Sequence, residues 1–352
     1  MSAKKQKKKR DPKIKGIDVE KLPPRVLSGV QPSGTLHLGN YFGALQQHIR
    51  LQNQHPGECY YFIADYHALT TVRDPQELKK NVFDLAVAYM ALGLDEDKAV
   101  LFRQSDIPEV TELTWLLSSV TGMGLLERAH SYKDKVAQGI KPSVALFTYP
   151  VLMASDILIY DSSLVPVGKD QIQHIEMAQD MATHFNETYG QGAVLLRRPE
   201  FQLSKSPYVP GLDGRKMSKS YGNTIPMFLG DKKMRKLIGR IVTDSTPLGQ
   251  PLQKGSCNVF GLLQLFLEED ELREVAGWYE TGQRGGDAFG YGHAKLYLTE
   301  KIQDHFAEAR RRKEALEKEP ELVEAMLARS AEKARAVARA TLSRLRRACG
   351  LE

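Results

Sequence analysis

Between residues 25 and 185, short apolar runs alternate with longer amphipathic stretches, and this alternation limits the chain to few architectures. Residues 25–30, 59–64, 99–102 and 164–167 are runs of strand length. Over residues 37–54, Leu38, Phe42, Leu45 and Ile49 recur at spacings of three and four, which is helical. Asp74-Pro75 reads as an N-cap followed by proline at the first helical position, and opens an amphipathic helix to residue 92. Further helices are expected at 108–119, 144–160 and 170–185. Strands separated by helices predict a parallel sheet, because each parallel connection needs a crossover long enough to hold a helix. Residues 204–223 are polar, contain Gly and Pro, and read as a loop. From residue 231 only helical patterns follow, ending in a Lys/Arg/Glu/Ala-rich stretch over 307–347. The expected fold class is therefore α/β: a Rossmann-type doubly wound parallel sheet with a C-terminal all-helical domain. Its divisions read as an extension (1–25), a Rossmann body (26–228) and a helical domain (229–352).

The net charge of +6 is unevenly placed. Residues 1–25 hold ten Lys/Arg against three acids, so the remainder of the chain is close to neutral and gives no whole-domain argument for RNA. The extension lacks the apolar core of a secretory signal and is expected to be a solvated, disordered arm. An arm that binds nucleic-acid phosphates is the alternative. No apolar run reaches the roughly 18–20 residues of a bilayer span, so no membrane attachment is expected. Cys59, Cys257 and Cys349 form no C-x-x-C pair. Neither a disulfide framework nor a zinc or iron–sulfur site is therefore expected, and a reducing cytoplasm fits.

Two segments carry chemistry. Gln31-Pro32-Ser33-Gly34-Thr35-Leu36-His37-Leu38-Gly39-Asn40 lies between a strand and a helix. A helix N-terminus offers free N–H groups and the positive end of a dipole, which suits phosphate. Gly39 permits close approach of a ligand to the backbone, and His37 and Asn40 can donate hydrogen bonds. Alone, the segment also reads as a tight βα turn. The second segment is Lys216-Met217-Ser218-Lys219-Ser220. Two lysines three apart on a loop can clamp a triphosphate and stabilise charge developing on it. Alone, it also reads as a solvated basic loop.

In this order and context the pair resembles the HIGH and KMSKS signatures of class I aminoacyl-tRNA synthetases, with Asn40 in place of the second histidine. Residues 28–34 (SGVQPSG), 64–70 (ADYHALT), 148–158 (TYPVLMASDIL) and 165–171 (VPVGKDQ) look like tryptophanyl-tRNA synthetases of bacterial type. The likeness runs from about residue 26 to the C-terminus.

The resemblance implies activation of L-tryptophan by ATP with Mg²⁺, then transfer to tRNA(Trp), by a homodimer whose last helix packs back on the catalytic body. It places Gln31, Pro32, Ser33, Gly39, Asn40, Gly168, Lys169, Asp170, Val209 and Lys216 to Ser220 at ATP, with His37, Asn40, Lys135, Lys216 and Lys219 as catalytic groups. It places Gly29, His67, Tyr149, Met153, Asp156, Val165, Val167 and Gln171 around tryptophan. Asp156 stands in an otherwise apolar helix, and an indole offers one N–H donor and no acceptor, so an acidic reader is chemically apt. Leu27, Ser155 and Lys169 depart from the commoner pattern, which has an aromatic, Ala and an acid there. A tyrosyl enzyme, a small-molecule adenylyltransferase and an auxiliary synthetase-like protein acting on modified tryptophan or as a binding partner are the rival readings.

Overall fold

A computed structural model describes residues 14–129, 143–203 and 207–352. Five strands form one parallel sheet: β1 Val26–Val30, β2 Cys59–Ile63, β3 Ala99–Arg103, β4 Leu164–Val167 and β5 Glu200–Leu203. Their order is β3-β2-β1-β4-β5, with β1 central. The chain fills one side of β1, then crosses to the other to lay down β4. All of β2 is buried, as expected of a parallel strand covered on both faces.

Side chains alternate between two cores. Val26, Cys59, Tyr61, Ile63, Ala99 and Leu101 face one; Leu27, Tyr60, Phe62, Val100 and Phe102 face the other. The first core continues into the helical domain through Phe260, Leu298 and Phe306. The second is shared with the helices Glu109–Ser118, Val144–Leu158 and Ile172–Tyr189.

Capping fixes where helices begin. The Asp74 carboxylate accepts from the backbone N–H of Gln76 (2.8 Å) and Glu77 (3.3 Å), opening Pro75–Ala91. Ser143 accepts from Leu146 N–H at 3.1 Å and opens Val144–Leu158. The helix expected over 37–54 is continuous but not uniform. Leu38–Asn40 passes into a wide π-turn, Tyr41–Leu45, before Gln46–Gln54. Such turns cluster at functional sites.

Three features differ from the sequence expectations. The extension expected to be solvated to residue 25 makes local contacts with the body in its described part, residues 14–25, although half of these residues are exposed. Ile14 is buried in the second core, and Ile17 N–H donates to Val194 C=O at 2.8 Å. Ile14, Ile17, Val19 and Leu22, scattered among charged residues, leave too little pattern to reveal this. Strand β5 was missed because all four of its residues are exposed, so no burial signal marks them. A two-stranded ribbon, β6 Gln283–Arg284 and β7 Asp287–Ala288, interrupts the helical region. Gly285 and Gly286 turn it with φ of +60° and +93°, which side chains resist.

The last helix, Pro320–Cys349, packs along β3. Small residues Ala331, Ala334 and Ala338 let it approach closely. Ion pairs flank the contact: Arg103–Glu324 (2.8 Å), Arg329–Glu96 (2.9 Å), Arg335–Glu109 (2.8 Å) and Arg344–Asp161 (2.7 Å). Among the described residues no helix is long and apolar enough to cross a membrane.

Candidate active site

A doubly wound sheet opens a crevice where the strand order reverses, and here that point lies between β1 and β4. A cavity of about 250 Å³ lies there. Of the residues chosen from sequence, Gly29, Met153, Val165, Val167, Gly168 and Gln171 line it. Gly29 is also demanded by packing: a Cβ there would meet the Phe62 ring at 2.4 Å.

The loop after β1 brings in the nucleotide motif. Asn40 Oδ1 accepts from His37 N–H at 3.1 Å, closing the first turn. A Cβ on Gly39 would meet the His37 ring at 2.9 Å, so glycine is required for this ring position. Burial, then the charge of Lys219, pulls the His37 pKa down to about 4. The ring is therefore neutral at pH 7, and it can offer a hydrogen bond but no charge.

The KMSKS segment is fastened to that loop from the far end of the domain. Lys219 Nζ donates to Ser33 C=O at 2.7 Å and to Ser33 Oγ at 3.2 Å. Leu38 N–H donates to Ile225 C=O at 3.0 Å, so the strand-like continuation of KMSKS lies beside HLGN. Within the segment, Met217 is buried and its N–H donates to Val209 C=O at 2.8 Å. Asn223 accepts from Ser218 N–H (2.8 Å) and donates to Asp213 (2.7 Å). Lys216 and Ser220 are exposed. Burial lowers the Lys219 pKa. On the facing side, Gln171 Nε2 donates to Asp170 at 2.7 Å, while Lys169 is exposed.

The amino-acid residues are divided between two spaces. His67 and Tyr149 line a second cavity of about 240 Å³, with Thr70, Thr114 and Leu152. Asp156 is 1% exposed and lines neither. Its carboxylate accepts from His67 Nε2 at 3.0 Å and from Gln104 Nε2 at 2.9 and 2.8 Å. Burial pushes its pKa up, and the bonds from His67 and Gln104 oppose that. Tyr149 OH lies 2.9 Å from His174 Nε2.

Comparison with known proteins decides the family. Residues 20–307 match the tRNA synthetases class I (W and Y). The chain belongs to that family. It is 51% identical to the tryptophan–tRNA ligase of Rhodopirellula baltica, over 93% of this chain and 99% of that protein. It is 49% identical to the tryptophan–tRNA ligase of Fusobacterium nucleatum, over 93% and 98%. Among solved structures, tryptophanyl-tRNA synthetase from Campylobacter jejuni complexed with ADP and tryptophan aligns with a TM-score of 0.86, at 47% identity, covering 93% of this chain and all of that one. The chain is thus an aminoacyl-tRNA ligase of the tryptophan kind.

The structure sets two polar residues beside the candidate site that sequence reasoning did not single out. Gln104 holds the Asp156 carboxylate, and Asp65 accepts from Ser105 N–H and Tyr66 N–H, each at 3.0 Å. The available signal was a polar residue directly after the apolar run of β3, where ligand-facing residues of such sheets gather. Lys135 lies outside the described residues. The departures at Leu27 and Ser155 are absorbed by packing. Leu27 is buried in the second core, and Ser155 Oγ donates to Val151 C=O at 2.9 Å.

Proposed function

We propose that the synthetase runs its two steps at the β1/β4 crevice, with the residues assigned as follows. The tryptophan carboxylate attacks the α-phosphate of ATP; the bond to pyrophosphate breaks and tryptophanyl-adenylate forms. The terminal ribose hydroxyl of tRNA(Trp) then attacks the acyl carbon, and AMP leaves. No side chain acts as a covalent nucleophile, so catalysis comes from positioning and charge stabilisation. Lys216 and Lys219 face the phosphates, and the resemblance gives Lys135 the same role. His37 and Asn40 hold them at the helix terminus, beside Gln31, Pro32, Ser33 and Gly39. Gly168, Lys169 and Asp170 take the ribose edge, and Val209, Met217, Ser218 and Ser220 the adenine side. Asp156 accepts the indole N–H, while Gly29, His67, Tyr149, Met153, Val165, Val167 and Gln171 form the amino-acid pocket.

The contact between Lys219 and Ser33 carries this reading, because it places a KMSKS cation on the loop that precedes HLGN. Among the described residues no cluster of three or more His, Cys, Asp or Glu could hold a metal ion. These residues form no Mg²⁺ cage; the cation would arrive on the nucleotide phosphates, and no step here runs through it. The helical domain, 229–352, would read tRNA, with the catalytic unit at 26–228. The work belongs in the cytoplasm, where tRNA, tryptophan and ATP meet.

A homodimer is supported by exposed apolar side chains on adjoining helices: Trp115, Met123 and Val144. Light scattering should find a dimer; a monomer that charges tRNA would count against it. The activation reading is tested by amino-acid-dependent ATP–pyrophosphate exchange with tryptophan and tyrosine. Exchange with tryptophan, lost in Asp156→Ala, supports it; exchange with tyrosine alone would overturn it.

A further inference from the structure

Strand β3 ends at Arg103, and the next residue, Gln104, is buried to 1% exposure. Both ends of its amide are occupied. Oε1 accepts from Tyr66 N–H at 3.1 Å and His67 N–H at 3.4 Å. Nε2 donates to both Asp156 oxygens. Exchanging the amide's O and N would set an acceptor against a carboxylate and a donor against two N–H groups, so the surroundings fix its orientation. The backbone on either side is pinned as well. Arg103 pairs with Asp106 (2.9 Å) and Glu324 (2.8 Å), and Ser105 is bound to Asp65.

We propose that Gln104 is the positioning residue for tryptophan recognition: it fixes the rotation of the Asp156 carboxylate and the seat of His67. The proposal rests on Asp156 being the indole acceptor. A carboxylate torsion is intrinsically broad, so Asp156 needs partners to hold one orientation. A carboxylate accepts in about four directions. Oδ2 takes both His67 and Gln104, whereas Oδ1 takes Gln104 alone. The direction left on Oδ1 is the one available to an indole N–H, and Gln104 sets where it points.

The test uses ATP–pyrophosphate exchange with tryptophan and with its benzothiophene isostere, in which sulfur replaces the N–H. The variants are Gln104→Met, Gln104→Glu, Asp156→Asn and the double variant Gln104→Met/Asp156→Asn. Gln104→Met should raise the tryptophan KM about tenfold or more and shrink the preference over the isostere equally, with the ATP KM unchanged. In the double variant it should add little to Asp156→Asn, because it acts through that carboxylate.

Gln104→Glu keeps the acceptor for Tyr66 and His67 but sets a second carboxyl against Asp156. The pair must share a proton, so tryptophan activation should recover as pH falls from about 8 to about 6, unlike the wild type. The ionisable groups facing Asp156 are His67 and Asp65 from the helix Asp65–Ala68 and Tyr160 from the end of its own helix. They are common to both proteins, so the difference between the two profiles reports the new pair even if Gln104→Met fails to fold.

If Asp156→Asn keeps the preference for tryptophan, the acceptor reading itself fails. If Asp156→Asn loses it while both Gln104 variants keep it, or if the effects add in the double variant, the role given to Gln104 is overturned.

Discussion

On the nucleotide side, the contact that assembles the site joins residues 186 apart in sequence, Lys219 and Ser33, through a side chain that is only partly buried. Lys216 is exposed and Lys219 half-buried, on a loop held mainly by Asn223. On the proposed amino-acid side, Asp156 and Gln104 are each 1% exposed and bonded to each other and to His67. A triphosphate changes charge and must be released as pyrophosphate, so cations on a loop that can move suit it. An indole differs from its analogues by one N–H, and discriminating it needs an acceptor fixed in advance and shielded from water. On the proposed assignment, partly exposed charge at the KMSKS loop is thus set apart from buried, fully bonded polarity at Asp156.

The sharpest way to break this comparison is Lys219→Ala. The maximal exchange rate should fall by roughly 10²–10³, with the tryptophan KM nearly unchanged. A rise in the tryptophan KM instead would mean the two sides are not separate. Next in size is Asp156→Asn, measured in the same assay at varied tryptophan and varied ATP. Losing a bond to a charged group should raise the tryptophan KM roughly tenfold to a hundredfold and leave the ATP KM alone.

Gly29→Ala comes third. Its Cβ would meet the Phe62 ring at 2.4 Å, so overpacking should cost about 1–3 kcal/mol of stability in a urea titration. Phe62 lines the cavity between β1 and β4, so on the proposed assignment tryptophan binding should weaken with it, and a stable variant with normal binding would show that the wall yields.

The smallest effect concerns His37. The folded chain keeps it neutral down to about pH 4, whereas the unfolded chain protonates near 6.5. Between those values the unfolded state binds the extra proton, so stability falls as pH drops from 6.5 towards 4 and this contribution levels below. His37→Gln should flatten part of that slope in urea midpoints taken across this range; parallel slopes would place the histidine in water.

Much of this was legible in sequence. The apolar runs marked β1 to β4, Asp74-Pro75 marked its helix start, and the two motifs with the stretches between them marked the family. Those signals are local: burial on two faces makes a continuous apolar run, and a cap satisfies N–H groups two and three residues away. Strand β5 and the Gly285-Gly286 ribbon escaped because exposed short strands carry no such run. Of the proposed site, the motifs were legible in the chain, and which cavity each side chain lines was not. His67 and Tyr149 read as one pocket with Met153, yet the structure sets them in a neighbouring cavity, with Asp156 lining neither.

By itself, then, the sequence determined strands β1 to β4, the helix start at Asp74-Pro75 and the family. Only the tertiary structure decided that β4 lies beside β1, that Lys219 reaches Ser33, that Gln104 donates to Asp156 and that Ile17 N–H meets Val194 C=O. Each of these pairs segments separated by tens to hundreds of residues. Such pairings follow from how the sheet is wound and which faces it buries, and a contact made once, at long range, leaves no periodicity in the chain to read.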